Sequence, residues 1–439
     1  TWWALALVVL LITGCVVPAG QPAVQSDAEA ASAYLPPLPA EETVTILFEN
    51  YNLASAGIGR DATLKMIDEF MELHPNIQVE TKATGSQEIM ASVQAQLAAG
   101  DPPDVAQVLL REWDIVVENM APIVLDDVVP PDEWAAHIEG IYPRAMNLTQ
   151  RNGNTYGMPY VFSTPTLFYN ATLFAEAGLD PADPPQTMAE MKEYALQIKE
   201  ATGKEGIYIA CIELDWCAQA VLRSNGGRFV SEDRTQVMFG EPESVEALAI
   251  WQDLIESGAH VNMTGADALD AFRAGNLAMY VQTSALQGSL LEAAADQWEL
   301  MSAGMPAFGD KPVVPTNSGS GLAVFATDPV QQRAAWELVK FLTSERAYTI
   351  IASEIGYLPL RPSTLEDEQY LKDWIAENPI ILPNLEQLAN LEPSVAFPGP
   401  NHVQIRDIYL KAAQEVLLFG ADPESTMQEA QARAQELMP

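Results

Sequence analysis

The chain has 439 residues, with 60 acidic side chains against 22 basic ones and a formal net charge of −38 at neutral pH. A field of that sign repels polyanions, which argues against nucleic acid or an anionic membrane face as a partner. Roughly 400 residues remain beyond an apolar leader and a tether, enough for two domains with their own cores, and no internal repeat is visible.

The first 15 residues, TWWALALVVLLITGC, are apolar over too short a distance for a good membrane span and read as a secretory h-region. Ile12-Thr13-Gly14-Cys15 resembles the bacterial lipobox, in which the cysteine is lipidated. Residues 1–15 are therefore expected to be a truncated signal peptide and Cys15 the anchor. Residues 16–42, rich in Ala, Pro, Gln and Ser, read as a flexible tether.

Thr43–Glu49 then reads as a strand, followed by a helix with Leu64, Ile67 and Met71 on one face, stopped by Pro75. Ile77–Val79 gives a second strand, Ile89, Val93 and Leu97 mark a helix ending at Gly100, and Val105–Val108 a third strand. This rhythm indicates an α/β lobe with a largely parallel sheet.

Between Val161 and Asn170, aromatic and β-branched residues alternate as in a strand, but Pro165 within Ser163-Thr164-Pro165 breaks it. Ala171–Ala177 is a short helix closed by Gly178, and Thr187 with Glu190 forms a capping box opening the next helix. A polar break in an aromatic strand before a capped helix suits a crossing between two lobes beside a cleft. Cys211 and Cys217 either form a disulfide, worth roughly 2 kcal/mol for so short a loop, or stay reduced.

Further helices are expected over Met191–Lys199, Val245–Glu256 and Pro329–Thr343. Asp328 would cap the last of these, with Val330, Ala334, Leu338 and Leu342 as its buried stripe. Ile405–Leu418 and Ser425–Leu437 close the chain as helices, separated from the rest by Pro-rich connections.

Four scattered histidines (His74, His137, His260, His402) offer no HExxH and no Cys/His cluster, so no metal site or cofactor is expected. There is no GxSxG, Walker A loop or GxGxxG, and Gly319-Ser320-Gly321 alone does not indicate catalysis. Aromatic, small and hydroxyl residues recur instead near strand ends, as in sites for carbohydrates and polyols.

Ala98–Val105 (AAGDPPDV), Tyr156-Gly-Met-Pro159, Leu167-Phe-Tyr-Asn170, Phe174–Asp180, Phe272–Met279 and Gly356-Tyr-Leu-Pro359 occur in one order. Together they resemble the family 1 extracellular solute-binding proteins of ABC importers. Ser163-Thr-Pro165, Thr283–Ser289 and Asn401–Arg406 are most similar to the subgroup for glycerol 3-phosphate and glycerophosphodiesters.

The resemblance implies a type II periplasmic-binding-protein-like α/β fold, with residues 43–163 and 319–355 in one lobe and 164–318 and 356–439 in the other. It implies a lipid-anchored, exported monomer at the outer face of the membrane or in the periplasm. Such a protein captures a sugar or polyol phosphate by hinge closure and hands it to a permease. Ser163, Trp216 and Arg406 would be ligand contacts, Ser318, Gly319, Ser320 and Gly321 a crossing segment presenting backbone donors, and Ser284 and Trp113 further candidates. Arg406 could hold a phosphate through paired hydrogen bonds; its alternative is an ion pair with Asp407. Two positions depart from the subgroup: Ser86 stands where it has an aromatic contact, and Leu109-Leu110 where it has a glutamate. An exported glycan hydrolase and a surface sensor on the same fold are the competing readings.

Overall fold

The computed structural model describes residues 34–54, 58–86 and 88–439. Cys15, the leader and residues 16–33 of the expected tether lie outside the described residues. The end of that tether belongs to the globular body: Leu35 is buried, its N–H donates to the Val128 carbonyl at 2.8 Å, and Leu38 packs on the same core. Apolar side chains in the Leu-Pro-Pro-Leu run give this stretch something to bury, which a composition-based reading of 16–42 overlooks.

Among the described residues nine strands build the two larger sheets: β1 (Val44–Asn50), β2 (Ile77–Ala83), β3 (Val105–Leu109), β4 (Met158–Ser163), β5 (Pro165–Asn170), β6 (Glu205–Ile209), β7 (Leu277–Thr283), β8 (Leu300–Ala303) and β9 (Ser318–Val324). The first sheet runs β2-β1-β3-β9-β4 and the second β8-β5-β7-β6. In the first, β1 pairs in parallel with β2 and β3, while β9 lies antiparallel between β3 and β4. The second sheet is mixed, with only β6 and β7 parallel.

The chain changes sheets at Thr164. β4 ends at Ser163 in the first sheet and β5 begins at Pro165 in the second, where the missing proline N–H falls at the first residue of a strand and costs no ladder bond. The capped helices follow: Asn170 Oδ1 accepts from Leu173 N at the start of Ala171–Glu176, and Thr187 with Glu190 makes both capping-box bonds before Met188–Thr202. β9 is a second crossing, since the preceding strand β8 lies in the second sheet.

Two separate cores result. Phe48, Phe70, Val105, Trp113, Trp336 and Tyr348 lie in the first, and Phe168, Met191, Tyr208, Trp251, Tyr280 and Tyr409 in the second. The division differs from the expected one after residue 355: Leu358, Leu360, Leu371, Ile381 and Leu391 complete the first core. The short helices over 363–387 carry leucines and isoleucines that cover the open side of the first lobe, and the chain rejoins the second with Phe397 and Ile405.

In the helix Pro329–Leu342, Ala334, Leu338 and Leu342 are fully buried and Val330 is half-buried. Its polar side meets Glu133, which accepts from Arg333 (2.7 and 3.1 Å), Lys340 (2.7 Å) and Trp336 Nε1 (2.9 Å). Burial opposes ionisation of Glu133, but these donors outweigh it and hold its carboxyl at about 2. A depressed carboxylate contributes stability that is complete above the ordinary pKa of 4.5 and is lost as pH falls from there through about 2. For this partly exposed group the contribution is on the order of 2 kcal/mol. Glu133→Gln is expected to lower the urea midpoint at pH 7 and to converge on the wild type as pH approaches 2; parallel curves across that range would contradict the assignment.

Candidate ligand-binding cleft

The strands β1, β2, β3 and β6 all end towards the space between the lobes, the usual position for ligands in open α/β sheets. There a cavity of about 400 Å³ is lined by Tyr51, Ser86, Leu109 and Arg111 from the first lobe, and by Glu213, Leu214, Asp215, Trp216, Arg406 and Leu410 from the second. Ser318, at the start of β9, and Tyr357 complete the lining. Tyr51 follows β1 and is fixed by its N–H, which donates to Gln107 Oε1 at 3.1 Å. Arg111 lies in the turn after β3. Glu213 and Leu214 join the turn Ala210–Ile212 to the helix Asp215–Ser224, which Asp215 and Trp216 begin, and the Cys211–Cys217 disulfide, with Cα atoms 4.8 Å apart, ties that turn to the helix.

Every arginine in the cavity already faces a carboxylate. Arg111 Nε is 3.3 Å from Glu112, and its Nη1 reaches across to Asp215 Oδ1 at 3.7 Å, joining the lobes. Arg406 holds Asp407 at 2.9 Å. Burial raises the Tyr51 hydroxyl, although Ser320, Tyr357 and Arg111 pull it partly back, and burial beside Tyr51 lifts Tyr357 further. Both phenols are therefore neutral hydrogen-bonding groups at physiological pH. Burial keeps His402, next to this cluster, below the usual imidazole range despite Glu112, so it adds no charge at neutral pH.

A family model described as bacterial extracellular solute-binding protein matches residues 65–379. The chain belongs to that family. As an extracellular solute-binding protein it is not an enzyme, and the hydrolase reading falls away. The sn-glycerol-3-phosphate-binding periplasmic protein UgpB of Pectobacterium atrosepticum is 24% identical over 396 residues, covering 85% of this chain and 87% of the relative. Among solved structures, UgpB from Mycobacterium tuberculosis in complex with glycerophosphocholine superposes with a TM-score of 0.78 at 22% identity, over 90% of this chain and 98% of that one. The cyclic alpha-maltosyl-1,6-maltose binding protein from Arthrobacter globiformis gives 0.75 at 23% identity, over 90% and 99%. At these identities the likeness shows the two-lobed fold. No helix among the described residues is long and apolar enough to cross a membrane, and these residues contain no group of three or more metal-ligating side chains.

This solute-binding protein brings Trp216, Ser318 and Arg406 together in the cavity, and Gly319 lines a small recess beside Trp216 and Arg111. The remaining candidates lie behind the surface. Ser163 is buried in register with Ser318, and its Oγ accepts from Thr283 Oγ1 at 2.8 Å. Ser284 is buried at the crossing, where its N–H donates to the Thr164 carbonyl at 2.9 Å. Ser320 receives Gln107 Nε2 at 2.8 Å. Trp113 is wholly enclosed, with its indole N–H on the Thr149 carbonyl at 3.0 Å. Gly321 packs on that indole, where a Cβ would come within 2.7 Å. These five are packed into the crossings and the first core and do not line the cavity. Sequence reasoning missed Arg111, Tyr51 and the pair Glu213 and Asp215, whose one available signal was their position just after strand-like runs, and Tyr357, which follows a helical stretch inside the Gly356–Pro359 motif.

Proposed function

We propose that this protein is the receptor of an ABC importer. Held at the outer face of the membrane by a lipid on Cys15, it captures a hydroxylated solute between its lobes as a monomer and presents the closed form to the permease. Contacts from both lobes shift the population towards closure.

The observation that carries the ligand reading is the charge balance of the cavity: Arg111 and Arg406 are matched by Glu213 and Asp215, giving +2 and −2 among the lining residues. A dianion would have to displace carboxylates from both guanidiniums, whereas a neutral sugar or polyol uses the same groups as donors and acceptors and stacks on Trp216. The favoured cargo is thus an uncharged sugar or oligosaccharide. A glycerophosphodiester is the second reading, supported by two arginines converging on one cavity and by the relatives named for glycerol 3-phosphate and glycerophosphocholine.

Calorimetry with maltose, maltotriose, glycerophosphocholine and glycerol 3-phosphate separates these. Sugar binding that Arg406→Ala leaves within about fivefold is expected, because a hydrogen bond to a neutral group contributes only about 1 kcal/mol. Tightest binding of glycerol 3-phosphate, lost on removing Arg406, would overturn the neutral reading.

A further inference from the structure

Ion pairs join the lobes in the cavity and also outside it. Arg234 Nη1 stands 3.1 Å from Asp114 Oδ2, and neither residue lines the cleft. Asp114 is in the first turn of the helix Trp113–Met120, whose Trp113 and Val116 belong to the first core. Arg234 is in the turn between Val230 and Val237, which pair with each other and belong to the second core.

The anchorage is built on both sides. The other carboxylate oxygen of Asp114 is taken by Arg151 of the first lobe. Arg234 Nη2 also donates to the Ala396 carbonyl at 3.1 Å, and its own N–H closes the turn onto Ser231 at 2.9 Å. Arg234 holds a φ of +60°, a left-handed conformation that a non-glycine residue adopts at some cost and that the surrounding contacts must support.

We propose that Asp114 and Arg234 form a latch, independent of solute, that sets the ratio of closed to open lobes. By scaling the population competent to bind, they raise affinity for any solute without touching it. The inference rests on capture by closure, but not on which solute the cleft takes. Both side chains are about one third exposed (34% and 31%), so the latch is open to screening by salt.

The test needs no solute: pairs of spin labels at the exposed positions Leu73 in the first lobe and Phe419 in the second report the distribution of distances between lobes. Arg234→Gly keeps the backbone at ease at positive φ while removing the guanidinium, and Asp114→Asn removes the opposite charge. Each is expected to lower the closed-to-open ratio about threefold, as for a partly exposed ion pair. Raising salt should move the wild type the same way and move Arg234→Gly much less, since Arg111 with Asp215, a pair that remains between the lobes, is more buried. Arg151→Ala removes a partner within the first lobe only and should keep the wild-type distribution. Unchanged distributions in Arg234→Gly and Asp114→Asn, or an equal shift in Arg151→Ala, would overturn the latch. Loss of sugar binding with an intact salt response would instead count against the cargo reading alone.

Discussion

Trp216→Ala is expected to weaken solute binding by roughly ten- to a hundredfold, the scale of a buried aromatic anchor. Trp216 is only 6% exposed, yet it lines both the cavity between the lobes and the recess beside Gly319. It is held firmly: its carbonyl accepts from Thr316 Oγ1, and the neighbouring Cys217 is tied to Cys211. A rigid indole loses little entropy on contact, and its flat apolar face suits the face of a sugar ring or a glycerol backbone. Because Trp216 also packs on the second core, alanine will cost stability. Trp216→Phe keeps an aromatic face and much of the packing, and should lose less than tenfold. Calorimetry on both, beside urea melts, separates the roles. Wild-type affinity in a folded Trp216→Ala protein would remove the residue from the site.

The crossing at Ser163-Thr164-Pro165 was legible because its signal is local: an alternating run, a residue without N–H, and a capped helix behind it. Trp216, Ser318 and Arg406 were legible only through an ordered set of motifs. Trp113 is enclosed for a physical reason. A tryptophan just after a strand that ends at the cleft is well placed for a ligand, but Gly157 and Gly321 have no side chains where Cβ atoms would come within 2.7 to 2.9 Å of the indole, and together they make an internal slot for it. Those glycines are far away in the chain, so no spacing around Trp113 reports them. Arg111 was hidden in the opposite way. It sits in a three-residue turn with no periodicity, and its meaning comes from Asp215 in the other lobe. The return of residues 358–391 to the first core was likewise invisible, since short Pro-rich helices carry apolar residues whichever lobe they cover.

Gly319→Ala is expected to be the most damaging single-methyl change in the protein, costing about 3 kcal/mol or more. Two effects coincide there. Its φ of +132° is a conformation that residues with a Cβ rarely adopt, and a Cβ would lie 2.0 Å from the Val161 carbonyl oxygen and 2.9 Å from its carbon. Those atoms are backbone of β4, so no rotamer change relieves the contact; the β4–β9 ladder itself must part. That ladder pairs Ser318 with Ser163 and carries both early crossings between the lobes. Gly203→Ala is the matched control, because Gly203 has a φ of +68° with nothing within 4 Å of the added methyl, and should lose only about 1 kcal/mol. If urea melts show the two variants equally destabilised, close approach of the crossing strands is not what demands glycine at 319. If Gly319→Ala is the more damaging and also loses solute binding under conditions where it remains folded, the separation of β9 from β4 is felt at Ser318 in the cavity wall. The same backbone approach that excludes a side chain at 319 is then what seats Ser318 opposite Trp216 and lets two lobes share one site.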